Sequence, residues 1–181
     1  MKRSKIKMQN CKAKFKNSQS VTLNLIQGLL LIFLFSGCAP KPVVVDKPLT
    51  DLIHPSTTPQ MAASLRLTEE GKNYLNSGNL IKASELFEKG ITISPSNPYA
   101  YFFMARLRFE RREHKQSLGL LSKAEMLFKD NPRWLSDVYS LMGKNHESLF
   151  QYNDAKRSYE QALKLNDGNL EAKEGMERLP K

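Results

Sequence analysis

Residues 136–169 read SDVYSLMGKNHESLFQYNDAKRSYEQALKLNDGN, and this stretch decides the fold of the chain. Small and bulky residues recur in it at helical spacing on both sides of a turn. They are Tyr139 and Gly143 before the turn, and Ala155, Tyr159 and Ala162 after it. The spacing predicts a helical hairpin in which a small residue such as Gly143 lets the two helices approach closely.

The same pattern occurs twice more, 38 residues and then a further 34 residues upstream. The middle copy has Tyr101, Ala105, Ser117, Leu121 and Ala124, and the first copy has Leu67, Gly71, Ala83, Phe87 and Gly90. One such hairpin cannot bury its own apolar face, whereas stacked hairpins can. Three copies in one register therefore predict an all-α solenoid.

This pattern resembles the tetratricopeptide repeat. The three copies lie at about residues 64–97, 98–131 and 136–169, within a predicted domain of residues 62–181. The second copy departs most from the family pattern. It has Arg108 where a tyrosine is usual, Ser117 for an alanine and Lys129 for a proline.

Local signals place the helix starts. Asn97-Pro98 and Asn131-Pro132 each combine an N-cap residue with a proline in the first helical turn. The first helix of the third hairpin is therefore expected at about 132–149. Asn169 is expected to cap a last helix at 170–179, whose apolar residues cover the end of the stack: Leu170, Met176 and Leu179.

The N-terminus has the composition of an export signal. Residues 1–20 hold seven basic residues and no acidic residue, and the chain from Cys38 onward has 21 basic and 18 acidic residues. The formal net charge of +10 thus falls to +3 beyond the signal, which removes the main argument for nucleic-acid binding. The apolar run 21–35 has 15 residues, fewer than the roughly 20 that span a bilayer. We interpret residues 1–37 as a signal peptide.

Leu34-Phe35-Ser36-Gly37-Cys38 resembles the lipobox of bacterial lipoproteins. The resemblance implies cleavage before Cys38, acylation of Cys38 and attachment to a membrane facing the periplasm, with Ala39 favouring the outer membrane. Residues 38–61 would then be a proline-rich tether. The alternatives are an incidental cysteine, or an uncleaved signal anchor in the inner membrane, and the start codon is Met1 or Met8.

No catalytic, cofactor or metal motif stands out. The two cysteines, Cys11 and Cys38, both precede the repeats, so a thiolate metal site within them is excluded. His114 falls in a predicted turn, and His146 is interpreted as a packing residue. A peptidoglycan-directed enzyme would need paired carboxylates, yet Asp137 and Glu147 are about 15 Å apart along one predicted helix. We expect neither enzymatic activity nor a cofactor.

The tetratricopeptide resemblance implies an inner groove, lined by the first helix of each hairpin, that takes peptides or partner helices. Equivalent positions carry a basic line, and the middle copy adds aromatic surface: Lys72, Arg106 and Lys144; Tyr99, Phe102 and Phe109. This combination suits a peptide with acidic and apolar side chains. The alternative is that these residues only pack within the fold. Phe103 stands where relatives that clamp a C-terminal carboxylate need asparagine.

These features together predict a lipid-anchored periplasmic scaffold that binds protein or peptide partners in the bacterial cell envelope. Resemblance implies roles such as assembly of a pilus, a secretin or the outer-membrane machinery. A homodimer that extends the groove is a further expectation, because three repeats are few.

Overall fold

The structure is a computed structural model that describes residues 47–180. This part of the chain forms one short 3-10 turn, Leu49–Leu52, and seven α-helices, with no β-strand. The helices are α1 (Pro59–Asn76), α2 (Leu80–Ile93), α3 (Pro98–Glu110), α4 (His114–Leu127), α5 (Pro132–Ser148), α6 (Tyr152–Leu165) and α7 (Leu170–Arg178). The predicted all-α solenoid of three helical hairpins and a last capping helix is confirmed.

Asparagine caps fix four of the helix starts, beginning with α2, where the Asn79 side chain accepts from the Lys82 N–H. The side chains of Asn97, Asn131 and Asn169 accept hydrogen bonds from backbone N–H groups in the first turns of α3, α5 and α7. α3 and α5 begin at Pro98 and Pro132, as the sequence predicts, since proline has no N–H to lose at that position.

Small residues on the first helix of a hairpin face bulky residues on the second. A Cβ added to Gly71 would lie 2.5 Å from Cε1 of Phe87, and one added to Gly143 would lie 2.5 Å from Cδ1 of Tyr159. Both aromatic side chains are fully buried. The absence of a side chain at these two glycines is therefore what lets the helix pairs α1–α2 and α5–α6 pack closely.

A buried polar network repeats 72 residues apart. Ser64 Oγ donates to the Gly90 carbonyl at 2.7 Å and accepts from Asn97 Nδ2 at 2.8 Å. Ser136 Oγ donates to the Ala162 carbonyl at 2.8 Å and accepts from Asn169 Nδ2 at 2.8 Å. Each asparagine thus ties the start of the next first helix to the hairpin before it, which fixes the stacking of the repeats.

One part of the predicted cap is wrong. Met176 and Leu179 pack against the small core of the last hairpin, but Leu170 is 68% exposed. Buried Ala172 and Gly175 complete the contact face instead. Residues 172, 175, 176 and 179 share one side of the helix at about 100° per residue, and this spacing places Leu170 on the opposite side.

The predicted tether also differs from the structure. The prediction extends the tether to residue 61, whereas α1 begins at Pro59 and the 3-10 turn packs on α1, with Leu49 only 3% exposed. Leu49 can bury its side chain against an apolar helix, which composition alone does not reveal. The predicted signal peptide and Cys38 lie outside the described residues. No helix within residues 47–180 has the length and apolar character that crossing a membrane requires.

Candidate functional site

The first helices of the three hairpins lie side by side. α1 packs on α3, and α3 packs on α5. The side of these helices that carries the predicted groove residues is called the first-helix face here. It is the surface that the three repeats share.

The predicted basic line differs in its three members. Lys72 is only 7% exposed, and its Nζ lies 3.0 Å from Glu69 Oε2. Lys144 Nζ lies 2.8 Å from Glu171 Oε1. Arg106 is exposed and has no ion-pair partner among residues 47–180. The free positive charge of the line is thus concentrated on the middle repeat.

Aromatic residues form a cluster between α3 and α5. Its members are Tyr99, Phe102, Phe103, Phe128 and Trp134. Tyr99 contacts Phe128 and Trp134 edge-on, with ring centroids 5.0 Å apart in both pairs, and Trp134 stacks on Phe128. Phe102 is 8% exposed, so it serves mainly as packing, and half-buried Tyr99 offers the accessible aromatic surface. Burial raises the pKa of Tyr99.

Phe109 connects the middle and last repeats. Its ring lies 5.2 Å from Lys144 Nζ and packs edge-on against His114, with centroids 5.3 Å apart. His114 is the first residue of α4 rather than a turn residue, and its Nδ1 lies 3.2 Å from Asn145 Oδ1. Phe109 is half-buried. It therefore presents apolar surface next to a lysine, as the proposed groove requires.

Glu147, three residues after Lys144 on α5, is fully engaged. Its carboxylate accepts from the Tyr159 hydroxyl at 2.7 Å and from Arg178 Nε and Nη2 at 3.0 and 3.1 Å. The Arg178 hydrogen bond is the main reason that the pKa of Glu147 is lowered. Arg178 belongs to α7, and no motif in the sequence pairs it with Glu147.

Asp137 and Glu147, the two carboxylates that an enzyme would need, each interact with different side chains. Asp137 Oδ1 lies 3.4 Å from Asn169 Nδ2, and Glu147 is bound by Arg178 and Tyr159. His146 Nδ1 lies 2.8 Å from Gln151 Oε1 in the turn after α5. Within residues 47–180, no three histidine, cysteine or carboxylate side chains are placed to hold a metal ion.

A contact that the sequence reasoning missed lies on the first repeat. The backbone N–H of Leu49 donates to Glu69 Oε2 at 2.9 Å, the same carboxylate oxygen that pairs with Lys72. The signal was weak, because Leu49 lies in a proline-rich segment without helical periodicity. The turn before the solenoid therefore takes part in the first-helix face.

Comparison with known proteins supports the repeat assignment. The family model of the tetratricopeptide repeat matches residues 67–97 and 136–169, in the first and third hairpins. Heat shock protein STI1 of Saccharomyces cerevisiae is 28% identical over 111 residues, which cover 61% of this chain. The match spans only 18% of that protein's length.

Solved structures have the same fold. The Arabidopsis OM64 TPR domain is 26% identical, with a TM-score of 0.61, over 66% of this chain and 95% of that one. The first TPR of Spaghetti (RPAP3), solved bound to the HSP90 peptide SRMEEVD, is 24% identical, with a TM-score of 0.60, over 65% of this chain and 90% of that one.

Proposed function

We propose that this chain, whose described residues form a solenoid of tetratricopeptide repeats, is a non-enzymatic scaffold that binds segments of partner proteins on its first-helix face. The observation that carries the proposal is Arg106, which is exposed and unpaired while its two counterparts are neutralised by Glu69 and Glu171. A guanidinium offers five donors in a planar fork, which matches a carboxylate. The preferred partner segment therefore has an acidic side chain at the place that faces Arg106.

Apolar surface beside Arg106 defines the rest of the partner. Tyr99, Arg106 and Phe109 are spaced seven and three residues apart on α3, so they lie on one side of that helix. A partner segment with an acidic residue flanked by apolar side chains would meet all three. We propose an internal segment rather than a C-terminus, because buried Phe103 stands where the resemblance requires asparagine for a carboxylate clamp.

The test is peptide binding measured by fluorescence polarisation. Short acidic and apolar peptides are compared with the same peptides carrying lysine for each acid. We expect the acidic set to bind, and Arg106→Glu to weaken binding about tenfold or more, since a charge-assisted hydrogen bond contributes about 1.5–3 kcal/mol. Lys123→Glu is the matched control, because Lys123 is exposed on α4, a second helix. Equal binding of both peptide sets, or no effect of Arg106→Glu, contradicts the proposal.

We further propose that the scaffold is anchored in a bacterial cell envelope through a lipid on Cys38 and faces the periplasm, with the outer membrane favoured. The support is the Leu34–Cys38 resemblance to a lipobox and the basic, then apolar, order before it. Partners there would belong to an envelope assembly such as a pilus, a secretin or the outer-membrane machinery.

The anchor is tested by the intact mass of the membrane-extracted protein. A mass equal to residues 38–181 plus acyl chains is expected, and Cys38→Ala should lose it. A mass that includes residues before Cys38 would instead support a signal anchor in the inner membrane.

A further inference from the structure

The three repeats allow two positions to be compared in three surroundings. Lys72 is 7% exposed, whereas its counterparts are exposed at Arg106 and half-buried at Lys144. Leu65 is 3% exposed, whereas its counterparts Tyr99 and Asp137 are half-buried. The first hairpin lies at an end of the described stack, where fewer neighbours would leave it more exposed. Something else must cover its part of the first-helix face.

The 3-10 turn Leu49–Leu52 supplies that cover. It packs on α1, and Leu49 and Leu65 belong to the same hydrophobic core. The Leu49 N–H donates to Glu69 at 2.9 Å, and Lys72 holds the same carboxylate at 3.0 Å. Leu52 is 40% exposed, so Leu49 is the residue of the turn that enters the core.

The turn is joined to the solenoid by few interactions. Its backbone-to-backbone hydrogen bonds are internal, from Asp51 N to Pro48 O and from Ile53 N to Thr50 O. Toward the helices, it offers the Leu49 side chain, the Leu49 N–H and half-buried Ile53. An aliphatic anchor with one backbone hydrogen bond is how a short peptide binds a groove. It is not how a helix is built into a core.

We propose that residues 48–53 are an intramolecular ligand of the first-helix face, which occupies the first repeat and competes there with partner segments of the same chemistry. That chemistry is an aliphatic side chain in the place of Leu49, with its own N–H directed at Glu69. The competition rests on the proposed function, since it matters only if the face binds partners. The occupancy itself does not depend on Arg106.

The test offers the segment in trans. A fluorescein-labelled peptide of residues 46–55, DKPLTDLIHP, is titrated against the full chain, its Leu49→Asp variant and its Leu52→Asp variant. Leu49→Asp places a carboxylate beside Glu69 and empties the site, whereas Leu52→Asp makes the same change at an exposed residue of the turn. A tethered segment acts at an effective concentration of about a millimolar, so it excludes the free peptide.

We expect the peptide to bind Leu49→Asp at least tenfold more tightly than the wild type or Leu52→Asp. A peptide with N-methyl-leucine at Leu49 lacks the donor to Glu69 and should bind at least tenfold more weakly. Adding Arg106→Glu to Leu49→Asp should leave peptide binding unchanged, so failure of this inference and failure of the proposed function are separate results. Equal binding to all three proteins, or binding to none, overturns the inference.

Hydrogen exchange of the wild type keeps the inference testable if Leu49→Asp does not fold. A segment that exchanges between bound and free states should have a Leu49 amide exchanging at least tenfold faster than the slowest amides of α1. A Leu49 amide as slow as those of α1 would show that the turn opens only with the solenoid, and it would overturn the inference.

Discussion

Gly143→Ala tests the close contact on which the third hairpin depends. An added Cβ would lie 2.5 Å from Cδ1 of Tyr159, a distance that real Cβ atoms essentially never show. Tyr159 cannot move away freely, because its ring also lies against Gly175 of α7, where an added Cβ would be 2.6 Å from Cε1. The ring is fully buried, and its hydroxyl is held by Glu147 at 2.7 Å.

The expected loss of stability follows from three contributions. Overpacking costs about 1–3 kcal/mol, and the upper end applies here because Tyr159 is packed closely against both Gly143 and Gly175. Lengthening its hydrogen bond to the Glu147 carboxylate costs about another 1 kcal/mol, a part of the roughly 1.5–3 kcal/mol that a charge-assisted hydrogen bond contributes. Alanine itself stabilises a helix interior over glycine by about 0.5–1 kcal/mol. The net expectation is a loss of about 3 kcal/mol.

Equilibrium unfolding in urea, followed by circular dichroism, measures this loss. The matched control is Gly119→Ala on α4, where an added Cβ would meet no atom within 4 Å. Only the propensity effect remains there, so Gly119→Ala is expected to stabilise the protein by about 0.5–1 kcal/mol. The same substitution should therefore change stability in opposite directions at the two positions.

The middle hairpin suggests a compensating change. The positions equivalent to Gly143 and Tyr159 are occupied there by Ala105 and Leu121, both fully buried. Gly143→Ala with Tyr159→Leu reproduces that pair, so the double variant should be at least about 1 kcal/mol more stable than the sum of the single losses predicts. Additivity within about 0.5 kcal/mol, or stabilisation by Gly143→Ala alone, would refute the packing argument.

Three further predictions concern single side chains. Asn97→Ala is expected to lower the free energy of unfolding by about 2–3 kcal/mol, because the Asn97 side chain caps α3 and donates to two buried hydroxyls of α1. A loss below about 1 kcal/mol, measured in urea, would contradict this. Arg178 lowers the pKa of Glu147 in the folded state below its unfolded value of 4.5. The ion pair therefore stabilises the fold above pH 4.5, and this stabilisation is lost as the pH falls through the folded-state pKa of Glu147. Between about pH 6 and pH 3, the melting temperature of Arg178→Gln should therefore fall less than that of the wild type. Identical falls in melting temperature would count against the pair. The hydrogen bond to Glu125 raises the pKa of Tyr139 from 10.0 in the unfolded chain to about 12 in the folded state. The protonated phenol therefore stabilises the fold, and this stabilisation is lost as the pH rises from 10.0 toward 12. Glu125→Gln should shift Tyr139 ionisation to lower pH in an ultraviolet titration, and an unchanged titration would contradict the assignment.

The architecture could be predicted because its determinants are local or repeat at a fixed spacing. A small residue opposite a bulky one, such as Gly143 opposite Tyr159, is visible once the copies are aligned. Asn-Pro pairs mark the starts of α3 and α5 within the chain itself. The prediction for Leu170 is wrong because apolar character does not tell which side of a helix a residue lies on. The helical angle places Leu170 opposite Ala172 and Gly175.

The site could be predicted only in part, since register shows which residues share a face but not which side chains neutralise them. Lys144 is paired with Glu171 and Glu147 with Arg178, both from α7, at separations of 27 and 31 residues. Such pairs depend on how the last helix docks. The Leu49 contact with Glu69 spans 20 residues and begins in a segment without any periodic pattern.

These pairings change where specificity is expected. The first repeat is covered by the Leu49 turn, and on the last repeat Lys144 and Glu147 are both held by residues of α7. The middle repeat keeps an unpaired arginine, and it is also the copy that departs most from the family pattern. It has Phe102 in the place of Thr68, and its buried serine–asparagine pair is a different one, Ser117 with Asn145. Departures from a local rule concentrate where function competes with stability. We therefore propose that partner choice is decided mainly on α3, while the first repeat binds a partner only when the Leu49 turn is displaced.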